Sequence, residues 1–326
     1  MRAALYDRYG PPEVLYEGRV PRPVAGPGEV LVRVHATSVN GGEFLGRAGK
    51  VRLVTDLAQR GFPKRTGLDF AGEVVALGSD QREPAVGSDP RGPAVGDRVW
   101  GGGRTFGSAA EYVVVRPRQI ALAPAGLDLV QAAALPGVGT TAITALRDKA
   151  RLQAGERLLV RGASGGVGSV AVQLGRAFGA HVTALARAEN LDFVRDLGAD
   201  EAFDHTTTGP ADLGRFDVIL DTVGIASGTY RRLLRPGGRM VAIAFDLRHA
   251  AASLSYIAAS AVFGSRRVRF FSGNPTHRLF ADLTRYVDSG AIRPVVDTVF
   301  PLADIAKAHR ALEAGGVRGK YVVRIF

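Results

Sequence analysis

The chain has 326 residues, 46% of them hydrophobic, which exceeds what one hydrophobic core usually serves and predicts a soluble protein of two domains. It contains no cysteine, which excludes disulfides, thiolate zinc sites and iron–sulfur clusters. The net charge is +11, but only five of the 42 basic residues are lysines and the arginines are scattered, so the charge favours solvated arginine over a nucleic-acid site.

The first segment, to about Ala125, consists of short β-branched runs separated by glycine and proline: EVLVRVHATSVN, FAGEVVALG, GDRVWG and AEYVVVRP. Such spacing predicts an antiparallel, barrel-like domain. Near the N-terminus, Asp7 and Arg8 stand where a signal peptide needs an apolar core, and no apolar run is long enough to span a bilayer. We therefore expect a cytoplasmic protein with no membrane partner.

From about Gly155 the pattern changes to strands that alternate with helices. RLLVRG is followed by a helix with Val170, Leu174 and Phe178 on one face, then by HVTALA, a helix through ENLDFVRDLG, and EAF. FDVILD, a helix over YRRLLRPGG, RMVAIAF and VRFFSG continue the alternation. This order predicts an α/β fold with a doubly wound parallel sheet. The tail after Ala291 reads as strand, helix and strand, which we expect to pair back into the first domain.

The segment GASGGVG lies between a predicted strand and a predicted helix, where a dinucleotide-binding fold makes its first βα turn. Side chains must be small there because the backbone approaches a pyrophosphate, whose charge is met by the helix N-terminus. A glycine triplet alone is a weak signal, but the flanking strand and helix strengthen it. The predicted cofactor-binding residues of this loop are Gly162, Ala163, Ser164, Gly165, Gly166, Val167 and Gly168.

An NAD enzyme usually places an acidic residue at the end of the second strand of this fold, to bind the ribose 2′-hydroxyl. Here Arg187 follows HVTALA, and a guanidinium can bind a 2′-phosphate. The alternative is a solvated arginine at a helix start, and Glu189 nearby keeps the acidic alternative open. His205, after the third strand, either borders the same phosphate or is an exposed loop histidine. We predict NADPH as the cofactor.

The chain resembles the medium-chain dehydrogenase/reductase superfamily, and within it the zinc-free quinone oxidoreductase-like branch. The resemblance extends over nearly the whole length, in the family's order, through TSVNGGEFLGRAG, GLDFAGEVVALG, VGDRVWG, AAALPGVGTTAITAL, GASGGVG, LGADEAFDH, FDVILDTVG, LRPGGRMVAIA and GKYVV. It implies a GroES-like β-barrel catalytic domain over residues 1–124 and 273–326, and a Rossmann NADPH-binding domain over residues 125–272. It also implies a homodimer.

The zinc alcohol dehydrogenases of this superfamily hold a catalytic zinc with two cysteines and a histidine. The resemblance places Asn40, Leu68 and Gly137 at those three positions, and such residues do not make a workable zinc site. We therefore predict no metal ligands. The branch also carries a tyrosine where this chain has Leu45, and a phosphate-binding lysine near the place of Leu191, so individual contacts are not transferred from it.

Few polar side chains are expected near the site of hydride transfer. Asn40 and Thr141 are the predicted catalytic residues, either orienting the nicotinamide or donating to a substrate carbonyl; a structural hydrogen bond is the alternative for each. Glu43 is interpreted as structural, and Asp69 and Asp97 as turn or ion-pair residues. The remaining predicted cofactor-binding residues are Val223, Gly224, Ala244, Phe245, Phe271, Ser272 and Lys320.

The leading prediction is a zinc-independent, NADPH-dependent reductase of a quinone or an α,β-unsaturated carbonyl. A second enzyme hypothesis is an enoyl reductase that uses the same hydride chemistry on a carrier-linked or CoA-linked biosynthetic intermediate. A hypothesis without catalysis also stays open, in which the protein senses NADPH or binds nucleic acid through its positive charge.

Overall fold

The computed structural model describes residues 1–79, 92–102, 106–244, 267–271, 273 and 275–326. The chain divides into unit 1, Met1–Thr140 with Asn274–Phe326, and unit 2, Thr141–Gly273. The first boundary thus follows Thr140, whereas the sequence-based boundary lies after residue 124. The difference arises because helix α3 (Leu129–Ala133) packs on strands of unit 1.

The secondary structure alternates between strands and helices mainly in the middle of the chain. The described strands are β1 (Arg2–Tyr6), β2 (Tyr16–Arg19), β3 (Val30–Ser38), β4 (Lys64–Arg65), β5 (Asp69–Leu77), β6 (Arg98–Gly102), β7 (Tyr112–Val115), β8 (Ile120–Leu122), β9 (Arg157–Arg161), β10 (His181–Ala186), β11 (Glu201–Asp204), β12 (Phe216–Asp221), β13 (Leu234–Ala242), β14 (Arg267–Phe270), β15 (Val296–Pro301) and β16 (Lys320–Arg324). The described helices are α1 (Gly41–Arg47), α2 (Arg52–Ala58), α3, α4 (Pro136–Ile143), α5 (Gly166–Ala177), α6 (Leu191–Asp196), α7 (Ser227–Arg231), α8 (His277–Asp288) and α9 (Ile305–Ala314), with a π-helical segment at Thr144–Ala150.

The described part of unit 1 contains two sheets. Strands β2, β1 and β4 form an antiparallel three-stranded sheet, and a larger sheet has the order β15-β16-β3-β5-β6-β8, with β7 paired to β3. Val30, Val32 and Val34 of β3 are fully buried, and the intervening positions are partly exposed or packed on the other face, as the β-branched pattern predicts. The predicted return of the tail is confirmed, because β16 pairs antiparallel with β3. This is the GroES-like architecture expected from the sequence.

Among its described residues, unit 2 has a parallel sheet of order β11-β10-β9-β12-β13-β14. In chain order this is 3-2-1-4-5-6, the arrangement of a Rossmann fold, which confirms the predicted doubly wound sheet. The central strands are buried on both faces, so Leu158, Leu159 and Val160 of β9 are fully inaccessible. Helix α5 packs on β9 and β10 and presents Val170 and Leu174 to the core.

One predicted helix of unit 2 ends earlier than expected. The sequence YRRLLRPGG predicts a helix to its glycines, whereas α7 ends at Arg231 and β13 begins at Leu234. Tertiary pairing overrides the local helical pattern, because buried Leu234 pairs with Phe216 of β12. Among the described residues, no helix is both long and apolar enough to cross a membrane.

Candidate active site

The glycine-rich loop after β9 leaves open the space in which an anion would approach. Gly162 adopts a left-handed φ of 72°, which favours glycine, and a Cβ on Gly168 would collide with the carbonyl oxygen of Gly162. A Cβ on Gly165 would meet only that carbonyl oxygen, at 3.5 Å, and would otherwise project into open space. The backbone of the loop at Gly162 therefore lies close to the backbone of α5 at Gly168. The open space beside Gly165, at the start of α5, fits a pyrophosphate.

Neighbouring residues hold this loop in place. The N–H of Ala163 donates to the carbonyl of Leu185 in β10 at 3.0 Å, and Asn190 Nδ2 donates to Ser164 Oγ at 3.4 Å. Ala163 is fully buried, so its methyl group packs against the protein and not against a ligand. The loop is thus anchored to β10, while Gly165 and Gly166 stay partly exposed.

The other predicted cofactor-binding residues of unit 2 follow the carboxyl ends of parallel strands. Arg187 comes directly after β10 and His205 directly after β11, and these strands pair at Ala186 and Asp204. The same holds for three further strands, since Val223 and Gly224 follow β12, Ala244 follows β13, and Phe271 follows β14. Carboxyl ends of parallel strands share one sheet edge, where ligands of this fold bind. Phe245 and Ser272 lie outside the described residues.

Arg187 is half-exposed, and its guanidinium lies 3.9 Å from the carboxylate of Glu189. At that distance and exposure the pair is a weak, screened interaction that a phosphate can replace. His205 is exposed, and its backbone N–H donates to Ala186 at 2.9 Å. Both side chains are therefore accessible at the edge of the sheet beyond β10 and β11.

A buried ion pair connects the glycine-loop strand with the turn after β12. Arg161 Nη1 lies 2.8 Å from Asp221 Oδ2, and Nη2 donates to the carbonyl of Ile225 at 2.9 Å. Asp221 Oδ1 accepts from the N–H groups of Val223 and Gly224 at 3.0 and 3.1 Å. This arrangement, which we call the Arg161–Asp221 bridge, holds two predicted cofactor-binding segments in a fixed relation within unit 2.

In unit 1, the side-chain amide of Asn40 is held at both ends. Its Oδ1 accepts from Lys320 Nζ at 2.9 Å, and its Nδ2 donates to Ser38 O and to Glu43 Oε1, each at 3.1 Å. Because an ammonium group only donates, the Lys320 contact identifies which end of the amide is the oxygen. Both Nδ2 hydrogens therefore have acceptors inside unit 1, while Oδ1 is the accepting end of the amide.

Glu43 lies beneath Asn40 and has four donors around its carboxylate. The N–H and Nδ2 of Asn40 donate to Oε1, while Thr66 Oγ1 and the N–H of Gly67 donate to Oε2 at 2.9 and 3.1 Å. Burial, together with the nearby charge of Asp69, raises the pKa of Glu43 to about 7. These contacts agree with the structural interpretation of Glu43, which closes the first turn of α1.

Lys320 and Asp69 complete the buried group. Lys320 also donates to the carbonyl of Val39, and burial lowers the pKa of its ammonium against the opposing charges of Asp69 and Glu43. Asp69 accepts from the N–H of Ser38 at 3.1 Å and from its hydroxyl at 2.9 Å. Two of the three ammonium donors of buried Lys320 bind Val39 and Asn40 within unit 1, so Lys320 holds Asn40 in the structure, while its part in cofactor binding stays a prediction.

Thr141 lies on α4 and is partly buried; it is the first residue of unit 2. The neighbouring Thr140 is buried, and its hydroxyl donates to Pro136 O at 2.6 Å within the helix. Thr141 is therefore the more exposed of these two residues.

Comparison with known proteins identifies the family. Residues 26–125 match the alcohol dehydrogenase GroES-like domain, and residues 197–323 match a zinc-binding dehydrogenase domain. The mitochondrial NAD(P)H oxidoreductase RTN4IP1 of Danio rerio is 32% identical over 100% of this chain and 91% of its own length. This chain belongs to the medium-chain dehydrogenase/reductase superfamily.

Two further proteins of similar sequence resemble the chain over nearly its whole length. The chloroplastic NADPH-dependent alkenal/one oxidoreductase of Arabidopsis thaliana is 33% identical over 99% of this chain and 79% of its own length. The solved structure of the quinone oxidoreductase from Coxiella burnetii has a TM-score of 0.88 and 29% identity, and the match covers 100% of this chain and 99% of that one. The resemblance inferred from the sequence is therefore confirmed.

The superfamily's zinc-ligand positions converge in this chain without suitable ligands. A Cβ on Gly137 would lie 3.1 Å from Asn40 Oδ1 and 2.7 Å from Asp69 Oδ2, so the aligned positions are neighbours in space. Leu68, at the third position, is partly buried and lies next to Gly42. Over the described part of the chain, no group of three or more His, Cys, Asp or Glu residues is arranged to hold a metal ion.

Sequence reasoning missed the Arg161–Asp221 bridge. The available signal was two charged residues at the ends of otherwise apolar strands, Arg161 in RLLVRG and Asp221 in FDVILD. A charge that ends a buried parallel strand needs a partner, since an unpaired buried charge is costly. The pairing of β9 with β12 supplies that partner, with Arg161 opposite Asp221.

Proposed function

We propose that this chain is a zinc-independent, NADPH-dependent oxidoreductase that transfers a hydride to a quinone or an α,β-unsaturated carbonyl. The observation that carries the proposal is the open glycine cradle at the carboxyl edge of a 3-2-1-4-5-6 sheet. The relatives named above support it, because they are NAD(P)H, alkenal/one and quinone oxidoreductases.

The cofactor is held by unit 2 in this proposal. The glycine loop and the N-terminus of α5 bind the pyrophosphate, and Arg187 binds the 2′-phosphate with His205 beside it. Val223 and Gly224 support the remaining part of the cofactor, in positions fixed by the Arg161–Asp221 bridge. When bound, the nicotinamide supplies the hydride.

We expect Arg187→Ala to weaken NADPH binding by about tenfold or more, because a charge-assisted hydrogen bond contributes about 1.5–3 kcal/mol. NADH lacks the 2′-phosphate, so its binding should be nearly unchanged. Fluorescence titration with both cofactors measures the ratio of dissociation constants. Arg195→Ala is a matched control, because this exposed arginine pairs with Asp192 on α6. If Arg187→Ala keeps the wild-type ratio, another group selects the cofactor.

The residues of this chain favour a conjugated acceptor. Hydride addition to a conjugated carbonyl places the negative charge on oxygen as an enolate, which fixed donors stabilise. The Thr141 hydroxyl is the donor that we propose for this oxygen. Asn40 has both amide hydrogens engaged inside unit 1, so we propose that its Oδ1 orients the nicotinamide carboxamide by accepting a hydrogen bond. This replaces the donor role for Asn40 considered from the sequence.

A screen of NADPH oxidation tests the function. Quinones, enones, enoyl thioesters and simple alcohols are compared, with and without a strong chelator. We expect chelator-resistant reduction of quinones or enones and negligible alcohol oxidation, since the chain has no zinc ligands at the superfamily's positions. Alcohol oxidation as fast as enone reduction would contradict the proposal. Preferred turnover of enoyl thioesters would instead select the enoyl reductase hypothesis.

Two further sequence-based expectations, a homodimer and a cytoplasmic location, stay predictions. Light scattering coupled to size-exclusion chromatography tests the first, and cell fractionation tests the second.

A further inference from the structure

Unit 1 contains a cavity of about 480 Å³ at the C-terminal end of α1, at the opposite end of that helix from Asn40. This volume is within the range of small-molecule sites. Three elements form its wall: the segment after β1, the end of α1 and the end of α9. The lining residues are Gly10, Pro11, Phe44, Arg47, Ala48, Lys50, Leu312 and Glu313.

Arg47 is the most unusual part of this wall. Its side chain is 1% exposed, and its guanidinium forms an ion pair through Nη2 with Glu313, whose side chain is 35% exposed. Among the described residues, Nε and Nη1 of Arg47 have no hydrogen-bond acceptor. Buried guanidinium nitrogens normally find acceptors, because leaving them unsatisfied costs free energy. Both nitrogens are themselves inaccessible to solvent, so an anion from the cavity reaches this guanidinium only in place of its single, partly solvated partner, the carboxylate of Glu313.

The neighbouring charges leave a net positive potential at this wall. Burial lowers the pKa of Arg47, and the charges of Glu313 and Glu13 oppose that effect. Glu13 is exposed and paired with Arg310 at 2.6 Å. Buried His309 has a pKa lowered to about 3, first by burial and then by Arg47 and Lys320, and is neutral. Exposed Lys50 adds a second cation at the rim.

The rest of the wall is apolar. Pro11, Phe44 and Leu312 contribute hydrocarbon surface, and Lys50 Nζ lies 6.0 Å from the centre of the Phe44 ring. A ligand for this cavity therefore needs one anionic end for Arg47 and an apolar or aromatic body for the remaining surface. A carboxylate can bind a guanidinium in bidentate geometry. Its single negative charge also balances the net charge of +1 that Arg47, Lys50 and Glu313 leave at the wall.

We propose that this cavity binds a small organic monocarboxylate, with its carboxylate on Arg47 in competition with Glu313 and its apolar body against Phe44 and Leu312. The site is separate from the residues assigned above to the cofactor and to Asn40. It does not depend on the proposed function, because binding requires neither cofactor nor turnover.

Titration calorimetry of the full chain with benzoate tests the proposal, with sodium chloride and inorganic phosphate at matched ionic strength as comparison ligands. We expect saturable binding of benzoate that is tighter than that of phosphate. Arg47→Met should weaken it by about tenfold or more, since a charge-assisted hydrogen bond is lost. Lys50→Ala should weaken it, and Glu313→Gln should tighten it, each by about two- to fivefold. Lys50 and Glu313 are at the surface, so these two variants keep the test valid if Arg47→Met does not fold.

Lys307→Ala is the matched control, because Lys307 is exposed on α9, pairs with Asp304 and does not line the cavity. It should leave benzoate affinity unchanged. Three results would overturn the proposal. The heat of benzoate titration could equal that of sodium chloride, the benzoate affinity could stay unchanged in both Lys50→Ala and Glu313→Gln, or NADPH could displace benzoate. Phosphate that binds as tightly as benzoate would also contradict it, since the apolar wall would then contribute nothing.

Discussion

Gly165→Ala is expected to fold like the parent chain and to lose NADPH affinity by roughly tenfold or more, the effect of one lost charge-assisted hydrogen bond. An added Cβ would lie in ordinary contact, 3.5 Å from Gly162 O, so the loop does not need to move. The same methyl group would fill the space in which we propose that the pyrophosphate approaches the start of α5. Fluorescence titration with NADPH measures the loss, and a thermal melt measures the folding.

Two other glycines of unit 2 serve as comparisons. Gly214→Ala adds the same methyl group near only Arg157 Nη2, at 4.0 Å, and should change neither affinity nor stability. Gly168→Ala should lower the melting temperature, because its Cβ would collide with the backbone of Gly162 and Ala163. An unaltered NADPH dissociation constant in Gly165→Ala would show that the cofactor does not approach this loop.

Lys320→Met is expected to lower the free energy of unfolding by about 3–5 kcal/mol, because removing one partner leaves buried charges uncompensated. The ammonium is the buried cation facing Asp69 and Glu43, and it donates to Asn40 Oδ1. Without it the amide of Asn40 is no longer held in one orientation, so turnover should fall in any variant molecules that remain folded. Chemical denaturation measures the first effect, and NADPH-dependent turnover measures the second.

The loss of stability should depend on pH. The pKa of Glu43 is raised to about 7 in the folded chain, so its contribution to stability is present at low pH and is lost as pH rises through that value. Removing Lys320 raises the pKa of both carboxyl groups further. The cost of Lys320→Met should therefore be larger above the pKa of Glu43 than below it.

Lys307→Met is a suitable control for this variant, because Lys307 is exposed and pairs only with Asp304 within the described contacts of α9. It should have almost no effect, as exposed ion pairs contribute about 0–1 kcal/mol. A cost for Lys320→Met as small as that of the control would contradict the buried charge network. If Lys320→Met loses the expected free energy of unfolding but its folded molecules keep normal turnover, Lys320 does not orient Asn40.

Much of the fold follows from local sequence. The β-branched runs of β3 and β5 and the apolar run of β9 became strands, and GASGGVG became a loop that begins a helix, because these features depend on neighbouring residues. The YRRLLRPGG segment shows where local patterns fail. Pairing with β12 and full burial of Leu234 stabilise the chain more than one further turn of α7 would.

The sequence alone determined where the described residues of unit 2 that we predict to bind a cofactor lie, because they follow the ends of parallel strands and such ends share one edge. Only the tertiary structure decided what Asn40 and Lys320 do. Their contact joins residues 280 positions apart, and the buried carboxylates that accompany it come from α1 and β5. Hydrogen-bond partners of a side chain depend on which groups the fold brings within about 3 Å, and no local sequence pattern specifies that distance.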